Sequence, residues 1–175
     1  IVMGCDNHKV DDTMIILTGA SGGIGNAILP MLAELDDVIA IYHSKYPDIK
    51  DLDGVSVYQM DITNENEVEE FAEIMKGKLT KITLIHSAAL ARQDNLAVQY
   101  KTEDWDDVMN VNLRGNFLLT RALLMSMMSE KWGRVIHFSS AAGMHVAPGT
   151  LAYSTSKTAL LGMSKVIASE YAKFG

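Results

Sequence analysis

Met14-Ile-Ile-Leu-Thr-Gly-Ala-Ser-Gly-Gly-Ile-Gly25 is the stretch from which the fold is read. Met14 to Leu17 are consecutive apolar residues, a short buried strand. Glycines follow at 19, 22, 23 and 25. An apolar pattern of helical period comes next, through Ile24, Ala27, Ile28, Met31, Leu32 and Leu35. Strand, glycine turn and helix in this order open a dinucleotide-binding βαβ unit. Glycines let the chain turn tightly and let an anion approach the backbone. The free N–H groups at the helix N-terminus then face that anion. An ordinary strand-to-helix turn could use the same glycines, so the rest of the chain has to decide.

Composition narrows the field. The 175 residues are 48% hydrophobic, which suits one α/β domain with a sizeable core. A net charge of −7 argues against a nucleic-acid partner, which usually meets a basic face. Cys5 is the only cysteine, so no disulfide framework exists and a reducing cytoplasm is the expected setting. No apolar run approaches the roughly 20 residues of a membrane span. The eleven methionines read as core and interface filler, and no metal is expected.

Along the chain, residues 1–12 read as a loose N-terminal arm and 13–175 as the catalytic domain. Pro30 falls inside the first helix, where it removes a backbone hydrogen bond or bends the axis. Val38–Tyr42 is a second strand and Val55–Gln59 a third. Asn64 is placed to cap a helix, with Glu67 three residues on. That helix closes at Gly77. Ile82–Ile85 is a fourth strand. Thr102 is read as the cap of a helix whose first turn is acidic, as the macrodipole favours. A long helical region runs on to Glu130 with a break near Gly115, and its segment 123–128 is apolar almost all round. Arg134–Phe138 is a fifth strand, and 151–173 the last helix. Strands alternating with helices predict a parallel, doubly wound sheet.

Tyr153 and Lys157 lie four apart at the start of that last helix and share a face. An unperturbed phenol titrates near 10, and an adjacent ammonium favours the phenolate. The pair can therefore act as an acid/base in carbonyl reduction. Ser140 stands thirteen residues earlier, just past the fifth strand, and Asn112 lies within Asn110-Val-Asn-Leu-Arg114.

The glycine spacing of Thr18-Gly-Ala-Ser-Gly-Gly-Ile-Gly25, with Gly133-Arg-Val-Ile-His-Phe-Ser-Ser140 and Tyr153-Ser-Thr-Ser-Lys157, resembles the short-chain dehydrogenase/reductase family. The resemblance runs from 14 to 175 and implies a Rossmann-type fold and an NAD(P)-dependent oxidoreductase. It implies that Tyr153 is the general acid in reduction and that Lys157 binds the nicotinamide ribose and lowers the tyrosine pKa. Ser140 would hold the carbonyl oxygen, and Asn112 would order a water that relays protons. The implied cofactor contacts are Gly19, Ser21, Gly23, Ile24 and Gly25 in the first turn. They continue with Asp61 and Ile62 after the third strand, Ser87, Ala88 and Ala89 after the fourth, and Tyr153 and Lys157. His86-Ser-Ala-Ala89 departs from the family's Asn-Asn-Ala-Gly. The glycine missing at 89 puts the local geometry in question, and His86 reads as a structural residue.

The end of the second strand carries Tyr42, His43, Ser44 and Lys45, with no carboxylate to repel a 2′-phosphate. His43 and Lys45 can pair with one, so NADP (NADPH) is expected, with NAD as the alternative. Residues 91–105 look most like the branch that reduces 3-oxoacyl groups on acyl carrier protein, and Arg92 is placed to meet an acidic carrier or a surface carboxylate. The expected substrate is a small-molecule or carrier-bound carbonyl. A sugar, polyol or steroid alcohol dehydrogenase of the family is the alternative, and a nucleotide-sensing regulator without turnover is a third. The family's use of its two long helices implies a homodimer or homotetramer; packing inside one subunit explains the same apolar faces. In the family a further strand, a substrate-covering segment and a last strand follow the point where Gly175 stands, so a missing C-terminal part is expected.

Overall fold

The computed structural model describes residues 13–175 other than 93, 94, 144 and 146. The expected arm, 1–12, lies outside the described residues, as does Asp94 of the carrier-reductase-like stretch. The elements are β1 (Met14–Thr18), α1 (Gly23–Leu35), β2 (Asp37–Tyr42), β3 (Val55–Gln59), α2 (Glu65–Met75) and β4 (Ile82–His86). They continue with α3 (Thr102–Met109), α4 (Asn116–Glu130), β5 (Gly133–His137) and α5 (Leu151–Tyr171). A π-helical segment, Asn110–Gly115, joins α3 to α4.

The five strands are parallel, in the order β3-β2-β1-β4-β5. Alternate residues of β1 serve opposite faces. Ile16 packs with Ile39, Phe71, Leu84, Leu118 and Leu119 on one side, under α2 and α4. Ile15 and Leu17 pack with Leu29, Ala33, Val38 and Ala40 on the other, under α1. Burial on both faces is why the central strands read as unbroken apolar runs. From β1 the chain builds outward to β2 and β3, then returns to build β4 and β5 on the other side. The strand order reverses between β1 and β4, so a crevice opens beyond their C-terminal ends.

Several local expectations need correction. Thr102 is the first helical residue of α3 rather than its cap; Lys101 precedes the helix, and no side chain caps it. The break in the long helical region is not a kink at Gly115 but wider, π-type turns over 110–115. Asn64 caps α2 through Asn66 N–H, at 3.2 Å. Glu67 reaches past the helix start, accepting from Asn64 Nδ2 at 2.7 Å and from the Asp61 amide at 2.8 Å. It therefore ties α2 to the chain leaving β3. Pro30 sits inside α1 at an exposed position, and Asn26 is exposed too, so water can serve the carbonyl that Pro30 leaves without a donor. In segment 123–128, Leu123 and Met127 are buried, whereas Met125 is 72% exposed.

Candidate active site

The crevice beyond β1 and β4 has a volume of about 800 Å³. Its walls bring together most of the residues the sequence singled out for a nucleotide: Gly19, Ser21, Gly23 and Ile24 from the first turn, His43 after β2, Asp61 and Ile62 after β3, and Ser87, Ala88 and Ala89 after β4. Gly25, Lys45, Tyr153 and Lys157 are not among the lining residues, nor are Asn112 and Ser140. Gly25 is buried behind the turn, and Lys45 is exposed.

The glycines do three different jobs. Gly19 has φ +65°, and a Cβ there would stand 2.6 Å from the Ala88 backbone, so this glycine lets the ends of β1 and β4 meet. The same junction is closed by the buried Thr18 hydroxyl, which accepts from Ala88 N–H at 3.2 Å. A Cβ at Gly25 would lie 2.2 Å from the Gly19 carbonyl oxygen, so Gly25 lets α1 seat on its own turn. At Gly23 a Cβ would meet nothing within 4 Å. No protein contact demands glycine at the first residue of α1, which borders the crevice. The residues present thus fit a pyrophosphate at this helix N-terminus, where a bare backbone lets anionic oxygens come close to the amides. Ala89 has no positive φ, so the backbone here does not require the glycine the family places there.

Asp61 stands at the crevice in an Asx turn, its Oδ1 accepting from Thr63 N–H at 2.9 Å and from the Thr63 hydroxyl at 2.8 Å. Arg114 clamps the same loop, donating to the Thr63 carbonyl at 2.7 Å and to Glu65 at 3.2 Å. Opposite, Gln59 donates to the His43 carbonyl at 2.9 Å and steadies the chain leaving β2.

The second half of the site is built on α5. Lys157 is 4% exposed, and its ammonium donates to the Phe138 carbonyl at 2.7 Å. It lies 5.8 Å from the centre of the Tyr153 ring. Burial pushes its pKa below the ordinary lysine range. Ser139 donates to the Lys157 carbonyl at 2.9 Å, so it fastens the β5 exit to α5, while Ser140 Oγ accepts from Ala142 N–H at 3.2 Å. Asn112, fully buried in the π-helical segment, uses its whole amide on neighbours. Its Oδ1 accepts from Leu90 N–H at 2.7 Å, and its Nδ2 donates to the Leu90 carbonyl at 2.8 Å and to Ser156 Oγ at 3.1 Å. The Asn112 carbonyl accepts from Asn116 Nδ2 at 2.8 Å.

Sequence reasoning did not pick out Asn116, Ser156 or His137. A signal was present: Asn112, Asn116 and Thr120 recur every four residues, with apolar Leu119 and Leu123 beside them, which marks a polar stripe on the inward face. At its far end His86, 1% exposed, shares a hydrogen bond with Thr120 Oγ1 at 2.8 Å and stacks on His137 with ring centres 4.9 Å apart. Arg92 pairs with Asp104 and Asp107 on α3, at the rim of the crevice.

Among the described residues there is no cluster of metal-ligating side chains, and no helix is long and apolar enough to cross a membrane.

Comparison with known proteins agrees with this geometry. The 3-oxoacyl-acyl-carrier-protein reductase FabG of Rickettsia felis is 36% identical over 162 residues, covering 91% of this chain and 67% of the relative. Nodulation protein G of a Rhizobium species is 32% identical over 90% of this chain and 66% of its own length. The chain thus spans about two thirds of these relatives. Among solved structures, ElxO with NADP bound superposes with a TM-score of 0.84 at 25% identity, covering 94% of this chain and 70% of that one. The closed form of serine dehydrogenase complexed with NADP+ also reaches 0.84, at 26% identity, over 90% of this chain and 66% of that one. A family model for short chain dehydrogenases matches residues 13–175, and the chain belongs to that family of NAD(P)-dependent oxidoreductases.

Proposed function

We propose that this protein reduces a carbonyl with NADPH, the carbonyl being that of a 3-oxoacyl thioester, and that Tyr153 supplies the proton. The observation that carries this is the placing of the nearly buried Lys157 ammonium beside the Tyr153 ring, one helical turn away. When bound, the dihydronicotinamide supplies the hydride. The chain's own part is positional and electrostatic. The Lys157 cation favours the phenolate that remains once Tyr153 has protonated the substrate oxygen. Ser140 stands past β5 as the donor to that oxygen. Asn112 keeps the loop after β4 and the start of α5 in one frame.

Gly19, Ser21, Gly23 and Ile24 receive the pyrophosphate, Asp61 and Ile62 the adenine side, and Ser87 to Ala89 border the far half of the dinucleotide. NADP rather than NAD is favoured by the absence of a carboxylate at Tyr42 to Lys45, with His43 on the crevice wall as the partner for the 2′-phosphate. The NADP-bound structural neighbours support the same reading. The carrier-bound substrate is supported by the FabG relatives. Exposed Phe117, Met125, Leu161 and Val166 on α4 and α5 suit pairing of copies into a homodimer or homotetramer.

The test is turnover of a 3-oxoacyl thioester with NADPH, wild type against Tyr153→Phe. Loss of about 10²–10⁴-fold in kcat with NADPH binding intact is expected; equal rates would sink the mechanism. A second reading, oxidation of a small hydroxylated substrate, is favoured by the serine dehydrogenase likeness and is separated by assaying serine and simple alcohols with NADP+.

A further inference from the structure

The loop after β3 is gripped at both ends. Asp61 to Thr63 stand on the crevice wall, between β3 and α2. At the start of the loop the Asp61 N–H donates to Glu67 on α2 at 2.8 Å. At its end the Thr63 carbonyl accepts from Arg114 Nη1 at 2.7 Å. Arg114 belongs to the π-helical segment and is not on the crevice wall. It therefore acts on a ligand there only through the loop.

The chain of bonds leads to one carboxylate. Thr63 donates its N–H at 2.9 Å and its hydroxyl at 2.8 Å to Asp61 Oδ1. Both bonds use the same oxygen, so Oδ2 remains as the acceptor for a ligand. A shift of Thr63 turns the Asp61 carboxylate with it. Arg114 resists that shift because its guanidinium is a planar fork with fixed donor directions. While Nη1 holds Thr63, Nη2 donates to Glu65 at 3.2 Å. Glu65 is fixed in turn by Arg121 on α4, whose Nη2 donates to it at 2.6 Å.

Gly115 supplies the apolar half of the same junction. A Cβ there would lie 2.8 Å from Ile62 Cγ1 and 3.2 Å from the Ile62 carbonyl oxygen. Ile62 is buried and borders the crevice. The bare backbone at Gly115 thus lets the loop settle on the π-helical segment. That segment is a firm base, since Asn112 ties it to Leu90 and Ser156 through its side chain. Exposed ion pairs add little to overall stability, and the Arg114 and Glu65 side chains are 44% and 42% exposed. Their effect is local: they fix where Thr63 sits.

We infer that Arg114 and Gly115 are positioning residues for the adenosine half of the dinucleotide: the π-helical segment holds the loop of Asp61, Ile62 and Thr63 in its binding shape, and neither residue touches the ligand. The inference rests on the dinucleotide site proposed above.

Binding to the full-length protein tests it, with each half of the coenzyme used separately. The probes are adenosine 2′,5′-bisphosphate and reduced nicotinamide mononucleotide, titrated by NMR into wild type, Arg114→Met and Gly115→Ala. Arg114→Met should weaken the bisphosphate about tenfold, the size of one lost charge-assisted hydrogen bond, and leave the mononucleotide within about twofold of wild type. Gly115→Ala should weaken the same probe selectively, since its methyl displaces Ile62 while Arg114 stays. The loss should persist at 1 M salt, where the Debye length is about 3 Å and attraction at a distance between guanidinium and phosphate is screened. In kinetics the KM for NADPH should rise while kcat at saturating NADPH stays unchanged. A folded Arg114→Met that binds both probes as wild type does overturns the inference. So does equal weakening of both probes, the sign of general loosening, or a loss that vanishes in salt. If Arg114→Met does not fold, Gly115→Ala is judged by the same outcomes. A wild type that binds neither probe defeats the proposed coenzyme and this inference with it. A wild type that binds the bisphosphate, matched by both variants, defeats this inference alone.

Discussion

Asn112 holds Leu90 by both of its backbone groups, accepting from its N–H at 2.7 Å and donating to its carbonyl at 2.8 Å. One side chain thereby closes the chain leaving β4 onto the segment that leads into α4, and its third bond, to Ser156, adds α5. Asn112→Ala should strand two backbone groups and cost about 2–6 kcal/mol, at roughly 1–3 kcal/mol for each buried group left unpaired. Urea unfolding checks the stability. A kcat loss larger than the change in KM would show that the frame serves the chemistry.

Gly23 and Gly25 should part company on substitution. Gly23→Ala adds a Cβ that meets no protein atom within 4 Å, so the melting temperature should stay within about 2 °C while dinucleotide affinity falls at least about tenfold, roughly 1.4 kcal/mol. Gly25→Ala forces α1 off the Gly19 carbonyl and should lower stability by about 1–3 kcal/mol. Thermal melts and a binding titration, run side by side, separate a glycine kept for a ligand from one kept for packing.

His43→Glu should reverse the coenzyme preference. A carboxylate on that crevice wall would repel a 2′-phosphate and accept ribose hydroxyls. The KM for NADPH should rise about tenfold or more, with that for NADH constant or lower. Lys45→Ala should change the ratio less, because Lys45 stands off the lining. Steady-state kinetics with both coenzymes give the answer.

Stability should fall as the solution is acidified from about pH 6.5 to 4. Burial lowers His86 well below the ordinary imidazole value and His137 to about 4. Between the unfolded and folded values the unfolded chain binds more protons, so acid favours unfolding in that window. Above it both states are neutral and the effect vanishes. Each kcal/mol lost should lower the melting temperature by about 2–4 °C in a chain of this size. His137→Asn should flatten the dependence; calorimetry at steps of pH measures it.

The parallel sheet was legible because β1 and β2 are buried on both faces and carry apolar runs at Met14–Leu17 and Val38–Ile41, and β4 is interrupted only by Thr83 before His86. The crevice was legible because a glycine turn declares itself in one dimension. Other features depend on what packs against what. The π-helical turns over 110–115 leave no periodic mark, since the same residues would suit α-helical turns. Thr102 has the chemistry of a cap but became a first helical residue, and its side chain caps nothing. Lys45 has the charge for a phosphate yet points outside the crevice walls. His137 stood in the sequence as one residue of the fifth strand, and only its register and ring stacking with His86 show that it belongs to a buried polar group.

The wider turns over Asn110–Gly115 set the angular phase between α3 and α4. Each helical residue advances the chain by about 100°. Deleting one residue there would put each α4 residue in its predecessor's place, moving Leu118 to the exposed position of Phe117 and Arg121 to the buried position of Thr120. The length of this bridge, more than any single side chain along it, is therefore what descendants of the sequence cannot alter.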